Sequence, residues 1–498
     1  MSRISLPSEI ISSDKTPRTA IAFDKTSGSR PTADTALEVL LVGQMVAAAT
    51  VAAATPVPLL REDDGANYFG AGSILDVACR AAFKANPFVK LNGVGITDAG
   101  TKAAATVTFA NNAGVSTIFR IRIAGVEYAI DVTLGDTPTI IGGNLAAKVN
   151  ADKACPVTAA NATGVVTFTA DNGGTVGNGI ALAVGTTGAL VGGFDVPTAQ
   201  VLTTATLSAA KLTGCTGAVS LTSALAACTG KRYHKIALLL DDSVSGGALK
   251  THTDSEGDAE HNHGELYVQG FVGTLSGATT LALAMNANRG VVAAIQGSET
   301  WSVVIAAAFA SAWSRVERPT LPLNGLVLAG VLPPTTDNLR WQRTETRNLL
   351  DNGVTPLVVK PGGGVAIARA VVTGVKNAAG DFDYTTLDVS KIQGFDFFRD
   401  NIKLMMDTNY EAVIWADADD DGLLPSDVAT PEKVTLDLIA VARDMEALGV
   451  VQGVDRLKDQ FLVEKNDDQC IFSVPAAILG GMHVRLGKIV NITRLPLS

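Results

Sequence analysis

Three stretches of the 498-residue sequence place side chains at spacings that chemistry uses. Asp417, Asp419 and Asp421, followed by Gly422, match the first half of a calcium-binding loop. Such a loop needs a bidentate glutamate at its last position. Here that position holds Val428, and Pro425 interrupts the second half. The run therefore reads as an acidic, solvated loop ahead of a helix. His252, His261 and His263 stand among Asp254, Glu256, Asp258 and Glu260. Neighbouring imidazoles can chelate a transition metal, but no scaffold spacing accompanies them, and a polar helix or loop accounts for them. Pro361-Gly362-Gly363-Gly364 follows a strand, yet neither GxGxxG nor GxxxxGKS/T occurs, so a tight turn is the reading. No GxSxG is present, and the cysteines at 79, 155, 215, 228 and 470 form no CxxC. The sequence thus predicts no catalytic residue, no metal and no cofactor.

Composition excludes further classes. The formal net charge is −10, from 39 Lys+Arg against 49 Asp+Glu, which opposes nucleic-acid binding as the main task. The densest basic cluster, Lys231-Arg232-Tyr233-His234-Lys235, precedes an apolar strand and reads as its solvated lead-in. Residues 39–60 are uncharged but hold Gly43, Gln44, Pro56 and Pro58, so they read as a buried strand and a loop, not a membrane span. No secretory signal is visible at the N-terminus, and scattered thiols fit assembly in the cytosol. Aromatics are 5% and Gly numbers 49, a small-residue chain suited to β-rich or close packing.

The elements that must position these residues follow an order. Residues 1–30 are a polar arm with one extended patch, Ala20-Ile21-Ala22-Phe23. From 31 to 92 come a strand at 37–42 and a helix from Ser73 to Ala85. Residues 93–215 differ: between Ala154 and Ala210 the only charges are Asp171 and Asp195. A hairpin at 117–134 turns on Ala124-Gly125, a helix spans about 138–151, and Thr/Val strands follow, so this β-rich stretch reads as inserted. Residues 216–350 alternate strand and helix, which implies parallel strands, with a further strand from Leu326 and a helix over 336–351. Residues 351–480 add two β segments and two helices, one opened by Thr430-Pro431 and stopped by Gly449. Residues 481–498 alternate as a terminal strand with nothing after it to pair with, Val484, Leu486, Val490 and Ile492 sharing one face. The fold class is an α/β core, a mixed sheet with flanking helices, carrying an inserted β-rich domain and extended N- and C-terminal arms. An unpartnered terminal strand is a hazard unless a neighbour accepts it. Ile21, Phe23, Val484, Leu486, Val490 and Ile492 are therefore the candidate inter-subunit contacts.

The chain also resembles the contractile tail sheath proteins of Mu-like phages. The likeness rests on Thr16 to Asp24, Val39 to Gln44, the 117–134 hairpin and Asp171 to Asn178. Its most specific part runs from Leu321 to Met406, with LVLAGVLP at 326–333, Thr346-Arg347-Asn348-Leu349-Leu350, Gly353-Val354-Thr355-Pro356 and Val365 to Ala370. The 50–64 loop and the histidine-rich 251–263 stretch have no counterpart in it. The resemblance implies a structural, non-enzymatic subunit that stacks with itself as six-fold rings around a tail tube and contracts to drive it through the host envelope. It implies exchanged arms, and tail tube, baseplate and tail terminator proteins as partners. It implies residence in a virion tail, with neither nucleic acid nor membrane bound. The competing readings are an α/β enzyme, with a ligand pocket at its strand C-termini, and another structural virion protein. A cell-surface adhesin is opposed by the α/β half.

Overall fold

A computed structural model of the chain describes residues 37–184, 204–418, 425 and 427–483. The apolar run after Glu38 forms β1 (Glu38–Gln44), buried from Val39 onward. The chain then makes β2 (Pro56–Leu59), a short helix α1 (Asp64–Phe69), α2 (Ile74–Ala85) and β3 (Lys90–Ile96). Ser73 caps α2 as the sequence predicts, its hydroxyl accepting the Asp76 N–H at 3.1 Å. Strand β2 corrects the loop expected there. Two prolines in four residues argue against a central strand, but β2 is the sheet's edge, antiparallel to β3. The register puts the β3-facing amides on Val57 and Leu59, so Pro56 and Pro58 face outward, where no donor is needed.

From β3 the chain builds two small sheets and a helix. Their elements are β4 (Lys102–Ala110), β5 (Thr117–Ile123), β6 (Val126–Val132), α3 (Pro138–Ala151), β7 (Val157–Ala162), β8 (Val165–Gly173), β9 (Leu182–Val184) and β10 (Thr204–Leu207). One sheet runs β10-β4-β8-β7 and the other β6-β5-β9. The β5–β6 hairpin turns on Ala124 and Gly125, both at positive φ (50° and 83°), as a two-residue hairpin turn requires. Strands β3 and β4 were not legible in the sequence: Gly93 and Gly95, and the alanines of β4, blur their alternation.

After α4 (Thr222–Cys228), β11 (Lys235–Leu238) lies parallel to β1 on the side opposite β3. Next come α5 (Ser243–Glu256), β12 (Leu266–Val272), α6 (Leu275–Met285), β13 (Gly290–Ile295), α7 (Ser302–Trp313), α8 (Arg343–Asp351), β14 (Val354–Val359) and β15 (Val365–Ile367). The full order is β15-β14-β13-β12-β11-β1-β3-β2, parallel except at the two edges, so the sheet is mixed. Two expectations fail here. Residues 326–329 make a single bridge, Val327 to Ala366, not a strand, because Gly325 and Gly330 (φ 79° and 88°) curl the chain at both ends. The helix expected over 336–351 starts only at Arg343, where Glu345 accepts the Gln342 N–H at 2.7 Å.

The remaining elements are α9 (Val389–Asn409), β16 (Ile414–Trp415), β17 (Val428–Ala429), α10 (Pro431–Ala447), β18 (Leu462–Asn466) and β19 (Gln469–Ser473). The described residues form two apolar cores. The larger runs without a break from the main sheet into the β4–β10 region, taking in Leu41, Phe119, Phe168 and Trp301. The smaller joins Phe398 and Met405 of α9 to Val434, Leu438, Val441 and Met445 of α10. Those four residues of α10 are the face its spacing predicts; Leu448, at the end of the repeat, is exposed.

Candidate functional site: a charged seam and an open hairpin

The stretches with chemical spacing do not converge. His252 Nε2 lies 3.5 Å from Glu265 Oε2, His263 Nδ1 lies 3.0 Å from Glu256, and His261 Nδ1 lies 3.1 Å from Asp258. Each imidazole thus has its own carboxylate. Among the described residues no group of three or more His, Cys, Asp or Glu is placed to hold a metal ion. Asp417 pairs with Lys465 at 3.1 Å, whereas Asp419, Asp421 and Gly422 lie outside the described residues. Gly362 and Gly363 form the turn between β14 and β15, closed by the Gly363 N–H donating to the Lys360 carbonyl at 2.8 Å. All five cysteines are free thiols.

Of the basic cluster that the sequence reads as a solvated lead-in to β11, only Lys231 is exposed. Helix α9 crosses the N-terminal ends of β11, β12 and β13 and binds them through charges. Arg289, one residue before β13, holds both Asp396 oxygens at 2.7 and 2.9 Å. Arg232 reaches Asp400 at 2.6 Å, and Arg399 donates to the Gly257 carbonyl at 2.8 Å. Lys235 is buried with its Nζ 4.1 Å from the centroid of Trp313, whose indole N–H donates to Gln393 of α9 at 2.8 Å. Burial drives the Lys235 ammonium well below the ordinary lysine range, with Asp396 opposing. Burial also raises Asp400, with Arg232 pulling the other way. The apolar runs that follow these charges gave no hint that the charges at the strand starts would be buried. Partners 107 and 168 positions apart are invisible to local spacing.

Beyond the seam, β18 and β19 form a two-stranded sheet with no further strand on either side among the described residues. Val463 and Cys470 pack on the smaller core, while Leu462, Ile471 and Phe472 are exposed. Phe472 borders an apolar cavity of about 700 Å³ that also meets Phe395, Phe398, Ile402 and Met406 of α9. The outer edges of this hairpin, without a strand partner among the described residues, lie beside exposed apolar side chains, and an open edge of that kind is a template for another strand. The main sheet offers no such edge. Prolines face out of β2, and residues 325–328 run along β15, with the Leu328 N–H on the Val365 carbonyl at 2.9 Å. The six residues expected to make inter-subunit contacts, Ile21, Phe23, Val484, Leu486, Val490 and Ile492, lie outside the described residues. The C-terminal segment departs from His483, whose Nδ1 accepts from Asn324 at 2.9 Å and whose Nε2 is 3.3 Å from Asp388.

Residues 214–373, spanning β11 to β15, match the family described as the phage tail sheath protein central domain. Residues 214–373 thus carry the central domain of phage tail sheath proteins, structural subunits of contractile phage-like tails. The chain is similar, at 25% identity over 461 residues (91% of this chain, 92% of the relative), to the Mu-like prophage FluMu tail sheath protein of Haemophilus influenzae. Among solved structures it is similar to a sheath tail protein of Listeria innocua (13% identity, TM-score 0.47, 88% of this chain and 90% of that one). It is also similar to one of Desulfitobacterium hafniense (14%, TM-score 0.46, 93% and 100%).

Proposed function

We propose that the chain polymerises with itself as stacked six-fold rings around a tail tube, and that the stack contracts to drive the tube through a host envelope. Its further partners are the tube, baseplate and tail terminator proteins. Assembly takes place in the bacterial cytoplasm, and no reaction is catalysed. The units are an N-terminal arm (1–30), a core, an insert on the outside, a C-terminal domain and a C-terminal arm (481–498); the core is wider than the sequence bounds of 31–92 and 216–350, and the insert (93–215) and C-terminal domain (351–480) correspondingly shorter, because β3, β14 and β15 belong to the main sheet.

The observation that carries the reading is the β18–β19 hairpin, the acceptor beside an apolar cavity, in a molecule whose main sheet has both edges closed. Charge supports the pairing. Residues 484–498 carry Arg485, Lys488 and Arg494 and no acid, whereas the hairpin carries Glu464, Asp467 and Asp468 against Lys465. A donated strand contributes backbone hydrogen bonds at about 0.5–1.5 kcal/mol each. Each buried Val, Leu or Ile adds about 1.5–3 kcal/mol before ordering costs. Leu486→Asp and deletion of 484–498 are expected to abolish sedimenting assemblies while circular dichroism stays that of the folded chain. Normal polymerisation of either variant would refute the arm as the linker. Unfolding of both would place the strand in its own subunit's core.

A further inference from the structure

In the main sheet the chain leaves β1 for β3 on one side and later fills β11, β12, β13 and β14 on the other. Such a reversal opens a crevice at the C-terminal ends of β1 and β11, where doubly wound folds bind their ligands, often against the amides that start the helix after the first strand. Here the chain itself enters that crevice, and a cavity of about 720 Å³ stays open beside it, past β1, bordered by Met45, Asp98, Lys102 and Asp171. Asn172, at the end of β8, is 4% exposed. Its Oδ1 accepts the Ile74 N–H, the first amide of α2, at 3.0 Å, and its Nδ2 donates to the Met45 carbonyl just past β1 at 3.1 Å. The same Nδ2 reaches Asp98 Oδ1 at 3.2 Å, and that oxygen also accepts from the Gly173 N–H at 2.9 Å and from Gln44 Nε2 at 3.0 Å. Thr175 donates to Asp241, beyond β11, at 3.2 Å. Val176 gives its carbonyl to the indole N–H of Trp301, which precedes α7, at 2.9 Å. The fit is close: a Cβ on Gly173 would lie 2.6 Å from the carbonyl oxygens of both Ala99 and Gly100.

We propose that Asn172–Val176 is a built-in plug of the switch-point crevice. It takes the hydrogen bond from the first amide of α2 that a bound anion would take, and ties the insert to the core. The first amide of α2 is then protected by a residue 98 positions away, and the insert cannot swing independently when subunits rearrange. Replacing residues 93–215 with a linker would remove the plug as well, so the insert's part in assembly has to be tested with the plug retained.

Hydrogen exchange read by mass spectrometry on the full chain tests this. Asn172→Ala is expected to speed exchange roughly tenfold both at 74–77 and across 165–180, since buried bonds are lost on both sides. Asn172→Asp keeps the acceptor for Ile74 but sets a second carboxylate against Asp98; it is expected to reproduce the effect in a chain of the same shape. Asn161→Ala is the control. Asn161 bonds within the insert, to the Thr139 carbonyl and the Gly164 N–H, and its loss should leave 74–77 unchanged. Unchanged protection at 74–77 in both Asn172 variants would overturn the proposal, as would an equal loss in the control. Saturable binding of ADP or inorganic phosphate by the unaltered chain, followed by calorimetry, would overturn it too.

Discussion

Two helices bind the main sheet in opposite ways. Helix α7 lies on its face and is buried at every residue but Val304. It is rich in alanine, and Gly270 of β12 lets it approach so closely that a Cβ there would sit 2.1 Å from the Ser302 carbonyl oxygen. Helix α9 crosses the strands' N-terminal ends and holds on through Arg289–Asp396, Arg232–Asp400 and the Arg399–Gly257 bond. The first contact depends on shape and has no orientation beyond steric fit. The second depends on a few directed bonds, each costly to leave half-made. A structural subunit thus has one interface built to stay fixed and one whose geometry is set by individual pairs.

Breaking the directed interface should have the larger effect. Arg289→Ala leaves buried Asp396 with only the longer Arg399 contact at 3.4 Å, and removing one partner of a buried pair costs about 3–5 kcal/mol. Thermal melts should show that loss, and limited proteolysis should cut near α9 first. Restoring stability with Arg289→Met plus Asp396→Leu would confirm that the charge, not the contact, is what matters; a double variant no better than the single would break the distinction. Gly270→Ala tests the fitted interface. Its new methyl meets backbone, so overpacking should cost about 1–3 kcal/mol in denaturant titration. A neutral result would mean that α7 can retreat and is not fixed. The smallest effect is expected at Lys235→Met. Because the folded-state pKa of Lys235 is depressed, the wild-type chain loses stability as pH falls from 10.5 toward that lower value. The variant should melt higher than wild type at pH 7, and the gap should narrow by pH 9.5. A gap independent of pH would show that Lys235 does not titrate there.

What the sequence reveals follows the same division. Periodicity exposed β1, the β5–β6 hairpin, α2, α3 and α10, because each declares one buried face through side-chain spacing and marks its ends with Ser73, Pro138 or Thr430. It did not expose β2, where being at the edge overrides two prolines, or β3 and β4, whose Gly and Ala hide the alternation. Nor did it expose the seam. Arg232 and Lys235 look like a basic surface cluster until α9 is brought over them, and Asn172 looks like a turn residue until the end of β1 meets it. Pairings across a hundred residues come from topology, and local patterns do not record them. The arm residues have a readable alternation, and they lie outside the described residues.

Pro56 and Pro58 bear on a different problem, solubility before assembly. Sheath subunits are made in many copies, and concentrated solutions select against any exposed ladder that a second copy can extend. The eight-stranded sheet is the widest template among the described residues, and its β2 margin presents two consecutive outward positions that cannot donate. Extension of the main sheet is blocked at that margin whatever the concentration, so free subunits do not add to one another there.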